Sequence, residues 1–257
     1  MRKILAWCVH GYTALGLVAA AGIAVAIFDG EPASYRNVFF LMLAATLVDA
    51  TDGTLARAIK IKEVLPRFDG RRLDDLIDFH TFTSLPLLLI WRAKLLPEEW
   101  QICLLAPLIA SAYGFCQTSA KTDDGYFLGF PSFWNIIAFY LYMLKPASWF
   151  TIALLLFFAL MTFVPARYLY PTHRGRLNRW TNWLGAVWAI LLIWIVWRMP
   201  DTPLSDGNVD GPTHILVLIS LVFPAYYLLV SWAISVRIVM RAYRRRSHPV
   251  ERSRGGY

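Results

Sequence analysis

Eight apolar stretches, near residues 4–28, 37–60, 73–92, 99–118, 132–145, 149–166, 180–198 and 213–239, leave this chain little choice of fold. A helix crossing a bilayer needs about 20 consecutive apolar residues. Inside lipid every backbone N–H and C=O must be bonded within the protein, which a helix achieves within one segment. The expected fold is therefore an all-α polytopic integral membrane protein with about eight transmembrane helices. Several stretches are shorter or more polar than that length, and 132–145 is the weakest. Composition agrees: 58% of the 257 residues are hydrophobic and 16% are charged, against roughly a quarter charged in soluble domains. Arg2 and Lys3 ahead of an apolar run, with Ala24-Val25-Ala26 behind it, imitate a secretory signal. That run exceeds the roughly 7–15 residues of a signal core, so it is taken as the first span. One membrane-embedded domain, 1–240, is expected, followed by a basic cytoplasmic tail, 241–257.

Charge gives the expected orientation. With the N-terminus inside, only Arg36, Arg92, Lys94, Lys145 and Arg198 of the 25 Lys and Arg residues fall outside, in keeping with the positive-inside rule. The net charge of +8 comes mostly from inner loops and the Arg-rich tail. Attraction to anionic membrane lipids accounts for it without nucleic acid. Cys8, Cys103 and Cys116 lie in predicted spans without metal-like spacing and read as small apolar residues.

Against this background four carboxylates stand out. If residues 41–60 are helical, Asp49, Asp52, Gly53 and Ala56 fall at i, i+3, i+4 and i+7, so two acids and two small residues share one face. Asp74 and Asp78 are i, i+4 on the next helix. Two antiparallel helices joined by a short connection bring the pairs together, and close anions in a low-dielectric site repel strongly. A divalent cation removes that repulsion. Oxygen-only ligands, with no matching His or Cys cluster, point to Mn²⁺ or Mg²⁺ rather than zinc. Asp75 projects about 100° away from Asp74 around the helix and is expected to face the loop or solvent.

The pattern D-x-x-D-G-x-x-A-R, a spacer, then G-x-x-x-D-x-x-x-D resembles the signature of the CDP-alcohol phosphotransferases, integral membrane enzymes that make phospholipid head groups. All of its fixed positions are filled, by Asp49, Asp52, Gly53, Ala56, Arg57, Gly70, Asp74 and Asp78. The spacer, Ala58 to Asp69, is twelve residues long, longer than in most of that family. In this the chain is similar to the bacterial phosphatidylcholine synthases. Two further segments carry the same resemblance, Trp7-Cys8-Val9-His10-Gly11-Tyr12-Thr13-Ala14 and the stretch from Phe127 to Asn135, so it covers nearly the whole chain.

The resemblance implies a reaction between CDP-diacylglycerol and an alcohol, choline in this subfamily, that yields a phospholipid and CMP. It implies a two-ion site with Asp49, Asp52 and Asp74 as main ligands, and Asp78 as both a ligand and the base that takes the alcohol proton. Asp49, Asp52, Gly53, Ala56, Arg57, Gly70 and Thr13 are the expected nucleotide-binding residues. Gly53 and Ala56 let the CMP moiety approach the backbone, although small residues also serve plain helix packing. Arg57 pairs with a carboxylate or phosphate, or marks the inner side. Choline, a quaternary ammonium, calls for an aromatic cage. The candidate pocket comprises Phe130, Pro131, Ser132 and Asn135, with Tyr168 and Tyr170. Other inner-end aromatics are Tyr126, Phe127, Phe133, Trp134, Trp180 and Trp183, and interfacial Trp and Tyr are common in any membrane protein. His10 and His80 are either functional or hydrogen-bonded packing residues. Lys121, Arg174, Arg176 and Arg179 bind the lipid diphosphate or mark the inner side.

The expected setting is a bacterial inner membrane, with a multi-pass chain, membrane lipids as partners and the active site facing the cytoplasm. Oligomeric state is not legible, although proteins of this kind are commonly homodimers. Serine, inositol or glycerol phosphate as acceptor keeps the same chemistry. An anionic acceptor calls for basic residues and choline for aromatics, and the chain offers both. A cation transporter with an intramembrane Asp site is the reading from another class; it sits poorly with the lack of repeat symmetry.

Overall fold

The computed structural model describes residues 1–118, 122, 125–169, 176–200 and 210–247, with backbone alone at 176, 242 and 244–247. Tyr170, Lys121, Arg174 and the tail beyond residue 247 lie outside the described residues.

The eight apolar stretches each fall on a helical unit, and the breaks inside those units follow from sequence. Helix α1 (Arg2–Asp29) turns at Gly30, which adopts a left-handed conformation, into α2 (Pro32–Ala58) with proline in its first turn. A short α3 (Ile61–Val64) follows, entered through left-handed Lys60. Then α4 (Gly70–Asp78) runs through a π-helical turn (Phe79–Ser84) into α5 (Leu85–Arg92). Pro86 has no N–H to give the carbonyl four residues back and its ring crowds that carbonyl; the wider turn before it accommodates both. Ser84 Oγ donates to the Phe79 carbonyl at 3.3 Å within it. π-turns favour functional sites, and this one begins directly after Asp78.

A 3₁₀ turn (Glu98–Leu104) leads into α6 (Leu105–Cys116). The first extended segment, β1 (Tyr126–Leu128), precedes α7 (Trp134–Leu144) and α8 (Ser148–Phe163). The second, β2 (Arg167–Leu169), is followed by α9 (Arg176–Trp197), α10 (Gly211–Ser220) and α11 (Val222–Ser247). The separation of α10 from α11 has the same cause as the π-turn, since Pro224 cannot donate to the Ser220 carbonyl.

Five of these units are long and apolar enough to cross a membrane: Arg2–Asp29, Pro32–Ala58, Glu98–Cys116, Leu177–Trp197 and Gly211–Arg241. The weakest predicted span, α7, is short for another reason. Nine of its eleven residues are buried, and a helix apolar all round belongs to an interior. It forms the middle of the core with Phe39, Leu89, Ile90, Leu155, Ile195 and Val217. Large apolar side chains on the outward faces of α1, α8 and α9 stay exposed, as lipid-facing residues must.

One element departs from the all-helical expectation. β1 and β2 pair antiparallel, with Phe127 opposite Tyr168. Extended chain at a helix-bundle end needs backbone partners, and these two connections supply them to each other. Gly129 follows with φ +82°, and a Cβ there would collide with the Thr162 carbonyl oxygen, so the ribbon seats on the end of α8 only through glycine.

A carboxylate site between the second and fourth helices

Asp69 begins the second half of the motif. Its carboxylate accepts from the backbone N–H groups of Arg71 and Arg72 at 3.2 and 3.3 Å, capping α4 at its N-terminus. Within the sequence Asp69 reads only as the last residue of the spacer; the signal available was an Asp immediately before a helical stretch. The cap starts the helix at Gly70, so Asp74 and Asp78 follow one and two turns later on the same face.

α1 packs against both α2 and α4, and between the latter two the carboxylates converge. Asp49, Asp74 and Asp78 each offer an oxygen within 4.8 Å of the other two, and all three side chains are half-buried. Three hard anionic oxygens at that spacing suit a hard divalent cation, so the triad can hold a metal ion. Asp52 lies outside this cluster. It is 6% exposed and accepts from Thr13 Oγ1 of α1 at 2.8 Å. A second link one residue away on each helix, Tyr12 Oη to Thr51 Oγ1 at 2.7 Å, fixes the same register.

The other motif residues have distinct settings. Arg57 folds back along its own helix, donating to Thr54 Oγ1 at 3.0 Å. Its guanidinium lies over Gly53, where a Cβ would come within 3.2 Å of Nη1. Ala56 is half-buried on the same helix. Asp75 forms an ion pair with Arg71 at 3.8 Å, with over a third of its side chain exposed. Gly70 faces α1, where His10 fills the space its missing side chain leaves. His80 is exposed beside Phe79.

The ribbon brings Tyr168 against the aromatics that follow β1. Phe130 is 5% exposed, with its ring 4.6 Å from that of Phe158, 5.3 Å from Trp134 and 6.3 Å from Tyr168. Tyr168 is fully buried, and its hydroxyl accepts from Trp232 Nε1 at 3.0 Å. Ser132 adopts φ +57° and donates to Ser111 Oγ at 3.0 Å, while Trp134 Nε1 donates to the same oxygen at 2.7 Å. Pro131 is half-buried. Asn135 Nδ2 reaches α2, donating to Thr46 Oγ1 at 3.3 Å, one turn before Asp49. Trp180 and Trp183 are largely exposed.

No family model matches the chain, but individual relatives do. It is 34% identical over 228 residues to a phosphatidylcholine synthase of Pseudomonas aeruginosa, an alignment covering 88% of this chain and 89% of that protein. The phosphatidylcholine synthase of Rhizobium meliloti is 32% identical over 206 residues, 78% of this chain and 83% of its own. That of Legionella pneumophila is 37% identical over 176 residues, 67% of this chain and 68% of its own. Similarity of this extent, over a chain whose paired helices gather the motif carboxylates, means that the protein belongs to the phosphatidylcholine synthase family.

Proposed function

We propose that the chain transfers the phosphatidyl group of CDP-diacylglycerol to choline, giving phosphatidylcholine and CMP. The observation that carries this reading is the convergence of Asp49, Asp74 and Asp78 within 4.8 Å in a member of this family. In the reaction the choline hydroxyl oxygen forms a bond to the phosphorus that carries the diacylglycerol, and the bond from that phosphorus to the CMP oxygen breaks. Asp49, Asp74 and Asp78, with Asp52 beside them, would hold two Mn²⁺ or Mg²⁺ ions. Such ions, when bound, offset the diphosphate charge and that of the departing CMP.

The remaining work falls to the side chains. Asp78 takes the hydroxyl proton of choline as general base. Thr13 fixes the orientation of Asp52. Gly53, Ala56 and Gly70, together with Asp49 and Asp52, border the nucleotide, and Arg57 swings from Thr54 to a phosphate oxygen. Choline enters near the loop of Pro131, Ser132 and Asn135. Phe130 and Tyr168 hold that loop from behind rather than meeting the cation with an open ring face, as their burial supports. The scarcity of basic residues in the connections assigned to the outside favours a site facing the cytoplasm of a bacterial inner membrane, where a nucleotide-activated lipid and imported choline are both available.

The test is an acceptor panel. Purified protein in detergent is given CDP-diacylglycerol and Mn²⁺ with choline, serine, inositol or glycerol phosphate in turn, and CMP release is followed. Release with choline alone is expected; turnover with serine but not choline would refute the substrate assignment, and no CMP with any acceptor would refute the transferase.

A further inference from the structure

One side of α1 meets both carboxylate-bearing helices. His10, Thr13 and Gly16 recur at i, i+3 and i+6, so they line that side together. Thr13 holds Asp52 of α2. His10 and Gly16 meet α4, each through a missing side chain. A Cβ at Gly70 would lie 2.5 Å from His10 Cε1 and 3.0 Å from Nδ1, and a Cβ at Gly16 would lie 2.5 Å from Ile77 Cγ2. The two contacts interlock in opposite senses: a side chain of α1 fills a gap in α4, and one of α4 fills a gap in α1.

His10 is held by shape. It is 6% exposed, its ring centroid lies 4.4 Å from that of Phe68, and Trp7 sits edge-on to both at 6.0 and 5.1 Å. Its Nε2 is buried without a hydrogen-bond partner among the described residues. A buried polar atom left unpaired is unfavourable, so an apolar residue would stabilise this position better. What the imidazole supplies is a flat, rigid body over Gly70.

We propose that His10 is a positioning residue for the carboxylate site, keying Gly70 so that α4 sits at one height on α1 and presents Asp74 and Asp78 to Asp49. This rests on the reading of those carboxylates as metal ligands. Relieving a 2.5 Å contact at Gly70 to an ordinary separation of about 3.5 Å needs a displacement of about 1 Å, of which α4 takes a share because Phe68 and Trp7 hem in the imidazole. A helix transmits such a shift to residues one and two turns along, and ligating groups tolerate only about 0.5 Å. On this account Gly70 lacks a side chain because of a partner on α1, and not only to admit nucleotide.

The experiment titrates Mn²⁺ into purified protein and follows free Mn²⁺ by electron paramagnetic resonance, alongside thermal melting, for the unaltered chain, G70A, H10A and H10A/G70A. G70A is expected to weaken Mn²⁺ binding by ~10-fold or more, as loss of a ligand-supporting contact does. In the H10A background the same change is expected to alter it by less than about twofold, the coupling expected of residues in contact. An equal cost in both backgrounds would overturn the proposal, as would a lowered melting temperature with Mn²⁺ affinity unmoved. Should G70A fail to fold, recovery of folded protein in the double variant supports the key, and failure of both overturns it. An unaltered protein that binds no Mn²⁺ would instead overturn the metal reading beneath it.

Discussion

Thr13→Val removes one hydroxyl and almost no volume, and so isolates the link between α1 and the carboxylates. The bond it breaks, Thr13 Oγ1 to Asp52 Oδ2 at 2.8 Å, joins side chains that are 7% and 6% exposed. Water therefore cannot replace the lost donor without opening the helix pair. Hydrogen bonds to charged groups contribute about 1.5–3 kcal/mol in soluble proteins. Those between membrane helices average about 0.6 and reach about 1.7 kcal/mol. The ranges overlap near 1.5 kcal/mol, or about tenfold in an equilibrium or rate. We expect Thr13→Val to lose about tenfold in kcat/KM for CDP-diacylglycerol, while Thr13→Ser, which keeps the donor, loses much less. The assay is initial CMP release in mixed micelles at several Mn²⁺ concentrations. In an Asp52→Asn background the valine change should add little, since the charged acceptor is already gone. Activity of Thr13→Val within twofold of the unaltered enzyme would rule out this role of the Thr13–Asp52 bond, as would an equal loss in the Asp52→Asn background.

Asp49→Asn, Asp74→Asn and Asp78→Asn should each reduce turnover below detection in the same assay, whereas Asp75→Ala, at a residue outside the carboxylate triad that pairs with Arg71, should keep most of it. Chelation of divalent ions should stop CMP release reversibly, with activity returning on addition of Mn²⁺. Gly129→Ala should lower the melting temperature by an amount corresponding to more than about 1 kcal/mol, because φ is +82° and the Thr162 carbonyl oxygen stands where the Cβ would go; a melting temperature unchanged from the parent would contradict the seating of the ribbon on α8.

The helices were legible because an apolar run in a membrane chain admits few other conformations, and the motif because helical spacing alone puts its acids on shared faces. What local pattern could not supply was partnership across the fold. Gly70 gives no sign that its neighbour is His10, sixty residues earlier, and Asp52 none that Thr13 will hold it. The β1–β2 ribbon joins segments some forty residues apart that are too short for any periodicity. Stretch 132–145 is weak only as a bilayer span; α7 is enclosed by other helices, and its apolar character serves the core. The aromatics around Phe130 illustrate the converse. Composition marks them only as ring-bearing residues near the ends of predicted spans, whereas the packing turns Phe130 and Tyr168 into the core.

Incorporation of labelled choline into extractable lipid follows the proposed transfer from acceptor to product. Purified protein is supplied with CDP-diacylglycerol and labelled choline, with Mn²⁺ or with chelator, and the Asp78→Asn variant is run beside it. Labelled phosphatidylcholine and CMP are expected in equal amounts with Mn²⁺, and neither with chelator or with the variant. Labelled lipid formed at the same rate in chelator, or by Asp78→Asn, would contradict the assignment of the carboxylates to this chemistry.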